Sequence, residues 1–288
     1  MSPPKVSIII TTYKESTKPY LDLCVKSALN LNYANKEIII VGHKGLPPEY
    51  WEYFGVKTIA PPDEQFYNPR GLNYGIENAS QESEYYFILN DDVILTKDCL
   101  SNLVQAVNSQ EVIAQPISPC DNYRAYSLVM GFRYWKFGKE HTHGDYFQMT
   151  KQFYRLDEFT KEMTHAMMHA ESIYPVGAIS TPMLCMFATL IPKKVWQKVG
   201  IFDENFKTGQ DDIDYSKRAQ LKNIPMMYCL NSLVWHFGGV TADDSISLNN
   251  RKENIQYFKN KWGEMPPGMP ENILDTLDES YKFSERNK

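Results

Sequence analysis

The sequence predicts an α/β protein with a Rossmann-like, mostly parallel central sheet flanked by helices. Two observations predict this class. Strand-like and helix-like segments alternate over residues 1–118, and the strand-like segments are apolar almost without interruption. Strands of that kind are buried on both faces, as they are in a parallel sheet covered by helices. A length of 288 residues and a hydrophobic content of 43% are sufficient for one large domain.

The strands and helices of the first part follow one another in short segments. Segment 5–13, KVSIIITTY, is rich in β-branched residues and lacks a helical period, so it is expected to be the first strand. Apolar residues at helical spacing then predict a helix over 19–31. By the same criteria, further strands are expected at 36–42, 56–60, 84–90 and 112–117, and further helices at 72–79 and 100–107.

The middle of the chain breaks this alternation. It is rich in aromatic residues, contains four histidines, and has a helical pattern only around 157–171. We interpret it as an insertion over the functional site. A strand then leads into a short helix opened by Pro192, a helix begins at about Asp211, and a last strand spans 226–239.

These segments suggest a single domain over residues 1–263. The predicted parts are a first half at 1–118, an aromatic-rich insertion at 119–182, a second half at 183–240 and a C-terminal helical tail at 264–288.

The composition argues against several classes of protein. A net charge of -5 gives no support for a broad nucleic-acid-binding surface. The five cysteines are scattered and form no Cys-x-x-Cys pair, which favours reduced thiols over a disulfide framework or a zinc site. The apolar runs Val6–Ile10 and Met183–Pro192 are too short for a signal-peptide core and a membrane span. We therefore expect a cytoplasmic protein without an integral membrane segment, and peripheral membrane contact stays open.

Two adjacent carboxylates, Asp91 and Asp92, follow Asn90 at the end of an apolar strand. Ligands bind at the carboxyl ends of parallel strands, and the same edge is expected to carry 11–13 and Gly42-His43. Neighbouring carboxylates repel each other unless a cation or hydrogen-bond donors compensate them. Hard oxygen ligands suit Mg²⁺ or Mn²⁺ held together with a diphosphate, and a turn or a helix-capping pair is the alternative.

A second group of acids lies in GQDDIDY, where Asp211, Asp212 and Asp214 begin a helix. Acids at a helix start oppose the macrodipole, so capping explains at least one of them, and another could be a general base. His236 ends the last strand and is either a structural residue or a metal ligand.

Two single residues give weaker signals. Tyr13 follows the first strand and could stack on a nucleobase. Arg70 precedes a glycine and could contact phosphate or cap a surface. The chain has no Gly-x-Gly-x-x-Gly, Walker or Gly-x-Ser-x-Gly motif. Its sequence therefore does not favour a dinucleotide-binding protein, a P-loop nucleotide-binding protein or a serine hydrolase.

Five motifs together resemble the family 2 glycosyltransferases of the GT-A fold. They occur in the expected order over residues 5–118 and 183–240, with the insertion between the two blocks. A further segment, YFKNKWG, is similar to a tail found in some members. The five motifs are VSIIITTYKES, NYGIENA, YYFILNDDV, GIFDENFKTGQDDIDYSKRA and VWHFGG.

The resemblance implies an inverting, metal-dependent transferase that uses a nucleoside-diphosphate sugar, with UDP-sugar expected. It implies Mn²⁺ or Mg²⁺ as cofactor, Asp212 as general base, and Asp211 as the acid that orients the acceptor. The implied metal ligands are Asp92, His236 and Asp91. The implied nucleotide-binding residues are Thr11, Thr12, Tyr13, Glu15, Arg70 and Asp91.

Two positions depart from the family pattern. Gly42-His43 replaces an acidic pair that commonly contacts the base or ribose. Asn90 replaces the first acid of the DXD motif, so Asp91 and Asp92 must supply the charge.

Several alternatives stay open at this point. A nucleotidyltransferase would normally have a glycine-rich phosphate loop after the first strand, and TTYKES has no glycine. A degenerate module could bind a nucleotide-sugar or a glycan without catalysis. The acceptor hydroxyl is expected on a glycan by default, and a hydroxylated DNA base is possible because aromatic residues stack on sugars and bases alike.

Overall fold

The computed structural model describes residues 2–13, 17–43, 49–62, 67–118, 177–207, 209–237, 245–270 and 272. The strands are β1 Val6–Thr12, β2 Lys36–Gly42, β3 Lys57–Ile59, β4 Tyr85–Asn90, β5 Val93–Leu95, β6 Ile113–Ile117, β7 Ala178–Ser180, β8 Ala188–Pro192 and β9 Met226–His236. The helices are α1 Lys18–Leu29, α2 Asn68–Glu77, α3 Cys99–Val107, α4 Lys193–Val199, α5 Asp211–Leu221 and α6 Ser245–Trp262, and a short 3-10 helix spans Glu49–Phe54.

The described strands form one mixed sheet in the order β3-β2-β1-β4-β8-β6-β9-β5, with β7 also paired to β9. β1, β2, β3, β4, β6 and β9 run in one direction, and β8, β7 and β5 run in the opposite one. The expected mostly parallel α/β sheet is therefore confirmed. β8 enters from the second half of the chain and separates β4 from β6, a crossover that local sequence patterns do not predict.

Helices cover both faces of this sheet, which explains the unbroken apolar strands. Ile9 and Ile88 belong to the hydrophobic cluster shared with α2, α4 and α5. Ile8 and Phe87 belong to the cluster shared with α1 and α3. Successive residues of one strand thus enter two different cores.

The strand register brings the expected ligand edge together. Thr11 pairs with Asn90, and Thr12 pairs with Gly42, so the carboxyl ends of β1, β2 and β4 end at the same level. His236 at the end of β9 pairs with Val93, just after the two carboxylates.

α2 packs unusually close to the sheet at Gly75. A Cβ atom at this position would lie 2.4 Å from Cγ2 of Ile9, so a larger residue would push the helix away from β1. This close contact sets the position of Asn68, where α2 begins at the ligand edge. The sequence predicted a start at residue 72, but Pro69 is accommodated in the first turn, where its missing N–H costs nothing.

α6 was not predicted from the sequence. Its buried apolar residues Ile255 and Phe258 are three residues apart but stand in a largely polar segment, which weakens the helical pattern. Packing continues into the predicted tail, because Glu264 pairs with Lys217 of α5 and Met265 is buried. Residues 119–176, with the predicted helix around 157–171, lie outside the described residues.

Within the described ranges, every helix is too short or too polar to cross a bilayer. Four cysteines lie in the described ranges, and they form no disulfide with one another: Cys24, Cys99, Cys185 and Cys229.

Candidate active site

Asp91 lies directly after β4 and is buried. The hydroxyl groups of Thr12 and Thr17 donate hydrogen bonds to its carboxylate. Its Oδ2 atom is buried without a hydrogen-bond partner among the described residues. Burial, followed by the like charge of Asp92, raises the pKa of Asp91 to about 7 against those hydrogen bonds. An unpartnered carboxylate oxygen at this edge suits a cation or a donor group of a ligand.

Asp92 and His236 are in direct contact beside it. Oδ1 of Asp92 lies 3.2 Å from Nε2 of His236, and Nδ2 of Asn90 lies 3.4 Å from the same nitrogen. One imidazole nitrogen either accepts from Asn90 or donates to Asp92, so the two contacts compete. Phe187 stacks on the imidazole with ring centroids 4.6 Å apart, which fixes the plane of the ring. A carboxylate and an imidazole in this arrangement are suitable ligands for a divalent cation.

This edge does not resemble a closed metal cage. No three His, Cys, Asp or Glu side chains gather into a metal cluster in the part of the chain that the structure describes. A cation that binds together with a diphosphate needs only one or two carboxylates, because phosphate oxygens and water complete its coordination. The unpartnered oxygen of Asp91 and the Asp92–His236 pair therefore fit such a shared cation.

The burial of Asp91 leads to a prediction about stability. Its raised pKa means that the folded state holds a proton that the unfolded chain releases near pH 4. Asp91 therefore destabilises the metal-free fold increasingly as the pH rises from about 4 to about 7. We expect Asp91→Asn to raise the free energy of unfolding at pH 8 by up to about 4 kcal/mol, and clearly less at pH 5.

Urea unfolding in EDTA at the two pH values measures this effect. The exposed Asp98→Asn is the matched control, because it removes one carboxylate without removing a buried charge. Equal changes at both pH values would contradict the burial of an ionisable Asp91.

The second acidic pair begins α5. The preceding residues Gly209 and Gln210 both have left-handed backbone, with φ of 86° and 64°. For a glutamine this conformation is strained by about 1 kcal/mol or more. The turn directs Asp211 into the protein, where it is buried, and leaves Asp212 half-buried. Such strain recurs where a fold must aim a functional side chain.

The surroundings of this pair alter its protonation. Burial, and then the charge of Asp211, raise the pKa of Asp212 to about 7, although the amide of Ile213 donates to Oδ1 at 2.8 Å. Burial also raises the pKa of Asp211, opposed by hydrogen bonds that include one from Asn68. A carboxylate with a pKa near neutrality can accept a proton and release it again, as a general base must.

Asn68 joins the two ends of the site and was missed in the sequence. Its Oδ1 accepts hydrogen bonds from Thr11 Oγ1 and from the hydroxyl of Tyr13, each at 2.9 Å. Its Nδ2 donates to Asp211 Oδ2 at 3.2 Å. A single asparagine before Pro69 has no recognisable sequence signal, and only the close packing of α2 brings it here.

The other predicted nucleotide-binding residues surround this bridge. Tyr13 meets His43 edge to face, with ring centroids 6.3 Å apart. Burial, opposed by a hydrogen bond from Thr11, raises the pKa of Tyr13 well above its usual value, so its hydroxyl stays protonated. Arg70 on the first turn of α2 pairs with Glu204 at 3.7 Å. Glu15 lies outside the described residues.

Asp214 differs from its two neighbours because its carboxylate is fully committed to structural contacts. Arg218 Nε donates a hydrogen bond to Oδ2 of Asp214 at 2.8 Å. Trp262 Nε1 donates to Oδ1 at 3.0 Å, and Lys261 Nζ forms an ion pair with the same oxygen at 2.7 Å. Lys261 also bonds Asp203. Although burial opposes it, hydrogen bonds led by Lys261 lower the pKa of Asp203 to about 2. The end of α6 therefore anchors α5 and the loop before it.

Asn254 of α6 holds the strained turn itself. Its Oδ1 accepts from the amide of Lys207 at 2.9 Å, and its Nδ2 donates to the carbonyl of Gly209 at 2.9 Å. We expect Asn254→Ala to lower the free energy of unfolding by about 1–3 kcal/mol, because two partly buried backbone groups lose their partner. Urea unfolding tests this against Asn260→Ala, whose exposed side chain on the same helix accepts a hydrogen bond from Gln256. An equal loss in both variants would contradict this role for Asn254.

Known proteins share sequence and fold with this chain. Residues 3–254 match the model of glycosyltransferase like family 2. An uncharacterized glycosyltransferase of Rickettsia typhi is 27% identical over 221 residues, which are 72% of this chain and 56% of that protein. The chain thus spans little more than half the length of this curated relative.

Two solved structures share the fold. A mannosyltransferase from Pyrobaculum calidifontis, solved with GDP-Man and Mn²⁺, has a TM-score of 0.58 at 13% identity and aligns over 99% of this chain and 72% of its own. GalNAc-T7, solved with UDP, GalNAc and Mn²⁺, has a TM-score of 0.56 at 10% identity, over 96% of this chain and 54% of its own. The match over residues 3–254 shows that the chain belongs to glycosyltransferase like family 2, and the two solved structures show that it has the GT-A fold.

Proposed function

We propose that this protein transfers a sugar, with inversion, from a nucleoside-diphosphate sugar to an acceptor hydroxyl, and that it needs a divalent cation. The observation that carries the proposal is the separation of two acidic pairs with different surroundings. Asp91 and Asp92 lie at the strand edge beside His236, whereas Asp211 and Asp212 begin a helix across from Tyr13.

The strand-edge pair is suited to the donor. Asp92, His236 and the unpartnered oxygen of Asp91 would hold Mn²⁺ or Mg²⁺ there. Such an ion, when bound, would neutralise the negative charge that develops on the leaving diphosphate. Thr11, Thr12 and Tyr13 end the neighbouring strand, so they are suited to contact the nucleoside.

The helix-start pair is suited to the acceptor. In the proposed step Asp212 takes the proton of the acceptor hydroxyl, and the oxygen forms a bond to the anomeric carbon. The bond from that carbon to the diphosphate oxygen breaks on the opposite face, and its electron pair leaves with the nucleoside diphosphate. Asp211, held by Asn68, orients the acceptor. The pKa of Asp212 near neutrality supports its role as base.

The donor class is proposed more broadly than a single nucleotide. UDP-sugar was expected, and the neighbouring structures contain GDP-Man in one case and UDP in the other. His43 meets Tyr13 edge to face at the strand ends where a base would lie, so we propose that it helps to form the base-binding surface. A glycan hydroxyl is the proposed acceptor, and the proposed location is cytoplasmic.

A donor-hydrolysis screen tests this function. The purified protein is incubated with UDP-, GDP-, ADP-, CDP- and TDP-sugars, with Mn²⁺ or EDTA, with and without oligosaccharide acceptors. We expect one donor class to release its nucleoside diphosphate in Mn²⁺ and not in EDTA. Donor binding without turnover under every condition would instead support the non-catalytic module.

A further inference from the structure

Asn68 lies between the two halves of the site and touches both. Thr11 and Tyr13, from the strand proposed to bind the nucleoside, donate to its amide oxygen. Asp211, from the helix proposed to act on the acceptor, accepts from its amide nitrogen. The three contacts span sequence separations of 55, 57 and 143 residues, so the bridge exists only in the folded protein.

The charge of Asp211 decides which way this amide faces. An ionised carboxylate only accepts hydrogen bonds, so the amide nitrogen of Asn68 must point toward it. The amide oxygen must then point toward Thr11 and Tyr13, whose hydroxyls become donors. The orientation of these hydroxyls is therefore linked to the ionisation of Asp211 through one rigid side chain.

We propose that Asn68 is a positioning residue that couples nucleotide binding at Thr11 and Tyr13 to the orientation and ionisation of the Asp211–Asp212 pair. This inference rests on the proposed function, since it concerns the same donor and the same base. A nucleotide that engages the Tyr13 hydroxyl would change the hydrogen bond into Asn68 and thereby the one from Asn68 to Asp211. By linkage, the ionisation of Asp211 would change the affinity for the nucleotide by the same factor.

Charged groups of the described residues act on this bridge from several elements. Asp211 acts on Asp212 of the same helix, and Asp91 acts on Tyr13 from the end of β4. Asp214 is bonded to Arg218, Lys261 and Trp262. Arg70, one turn along α2, is paired with Glu204. Among the contacts described for Asp211, Asn68 supplies the side-chain hydrogen bond.

Asn68→Asp is expected to keep the hydrogen bonds from Thr11 and Tyr13 and to lose the one to Asp211. The new carboxylate still accepts from Thr11 and Tyr13, so the nucleoside side stays hydrogen-bonded. On the other side a negative charge replaces a donor next to the Asp211–Asp212 pair, and like charges raise the apparent pKa values of these two interacting acids. We expect nucleoside-diphosphate affinity within about twofold of wild type, and an acidic limb of the kcat–pH profile that moves up by about one unit. At pH 6 kcat would then fall about tenfold.

Asn68→Ala is the second variant, and it removes the hydrogen bonds with Thr11 and Tyr13 as well as the one with Asp211. We expect weaker nucleotide binding as well as lower kcat. Its effect on kcat should be less than additive with that of Tyr13→Phe, because Tyr13 acts on Asp211 through Asn68. The matched control is Asn78→Asp, which adds the same charge at the opposite end of α2, where the amide only bonds Tyr74 O. The control should leave the pH profile unchanged.

The outcomes separate this inference from the proposed function. If wild type releases no nucleoside diphosphate from any donor, the proposed function fails. If wild type is active and Asn68→Asp loses activity without a shift of the pH profile, Asn68 is merely structural and the coupling is overturned. Additive effects of Asn68→Ala and Tyr13→Phe would overturn it too, even if Asn68→Asp does not fold.

Discussion

Asp212→Asn is expected to lower kcat by about 10²–10⁴-fold, the usual contribution of general acid–base catalysis. An amide cannot accept the proton of the acceptor hydroxyl, and the substitution preserves shape and the hydrogen bond from Ile213 to the side-chain oxygen. Because Asp212 belongs to the first turn of α5 and not to the strand ends that carry Asp92 and His236, nucleoside-diphosphate affinity should stay within about threefold of wild type. Steady-state kinetics combined with calorimetry of nucleotide binding measures both.

The pH dependence of the wild type gives an independent view of the same residue. The base must be ionised to act, so kcat should rise with pH through the region of the Asp212 pKa, about 7, and lose this limb in Asp212→Asn. Asp98→Asn, an exposed carboxylate at the start of α3, controls for a simple change of charge. Retention of more than about a tenth of wild-type kcat in Asp212→Asn would exclude Asp212 as the base.

Asp92→Asn is the second substitution with a large expected effect. It removes the charge from a side chain in contact with His236, and metal stabilisation of a leaving diphosphate is worth several kcal/mol. We expect the turnover rate to fall by about 10³-fold and the Mn²⁺ concentration for half-maximal rate to rise at least tenfold. Metal titrations of the rate, in wild type and variant, test this.

His236→Ala gives the graded comparison for Asp92. Loss of one neutral ligand should cost less than loss of a carboxylate, so its Mn²⁺ requirement should lie between those of wild type and Asp92→Asn. Asp98→Asn is again the control for charge. An unchanged Mn²⁺ requirement in Asp92→Asn would remove this residue from the metal site.

Much of the fold was predictable because each strand carries its own signal. β1, β2 and β4 are short apolar runs between helices, and their common direction follows from that alternation. The edge formed by Thr11, Gly42 and Asn90 was predictable for the same reason, since parallel strands end together. The crossover of β8 between β4 and β6 was not, because strand order depends on contacts between distant segments.

Some residues of the candidate site could likewise be predicted from the sequence, and others could not. Asp91, Asp92 and His236 stand at strand ends and could be named from position alone. Asn68 could not, because its role depends on how closely Gly75 lets α2 approach β1. The position of Asp214 at the helix start did not separate it from Asp212, which only the family resemblance singled out as the base. The hydrogen bonds of Asp214 to the end of α6 reveal its structural role.

The strand-edge carboxylates Asp91 and Asp92 are proposed to hold a cation together with a nucleoside diphosphate. Calorimetric titration of UDP, GDP, ADP, CDP and TDP into the protein, in Mn²⁺ and in EDTA, tests this proposal. We predict that at least one of them binds in Mn²⁺, and that EDTA and Asp92→Asn each weaken this binding by about tenfold or more. Equal affinity in Mn²⁺ and EDTA, or binding of none of the five, would contradict the claim.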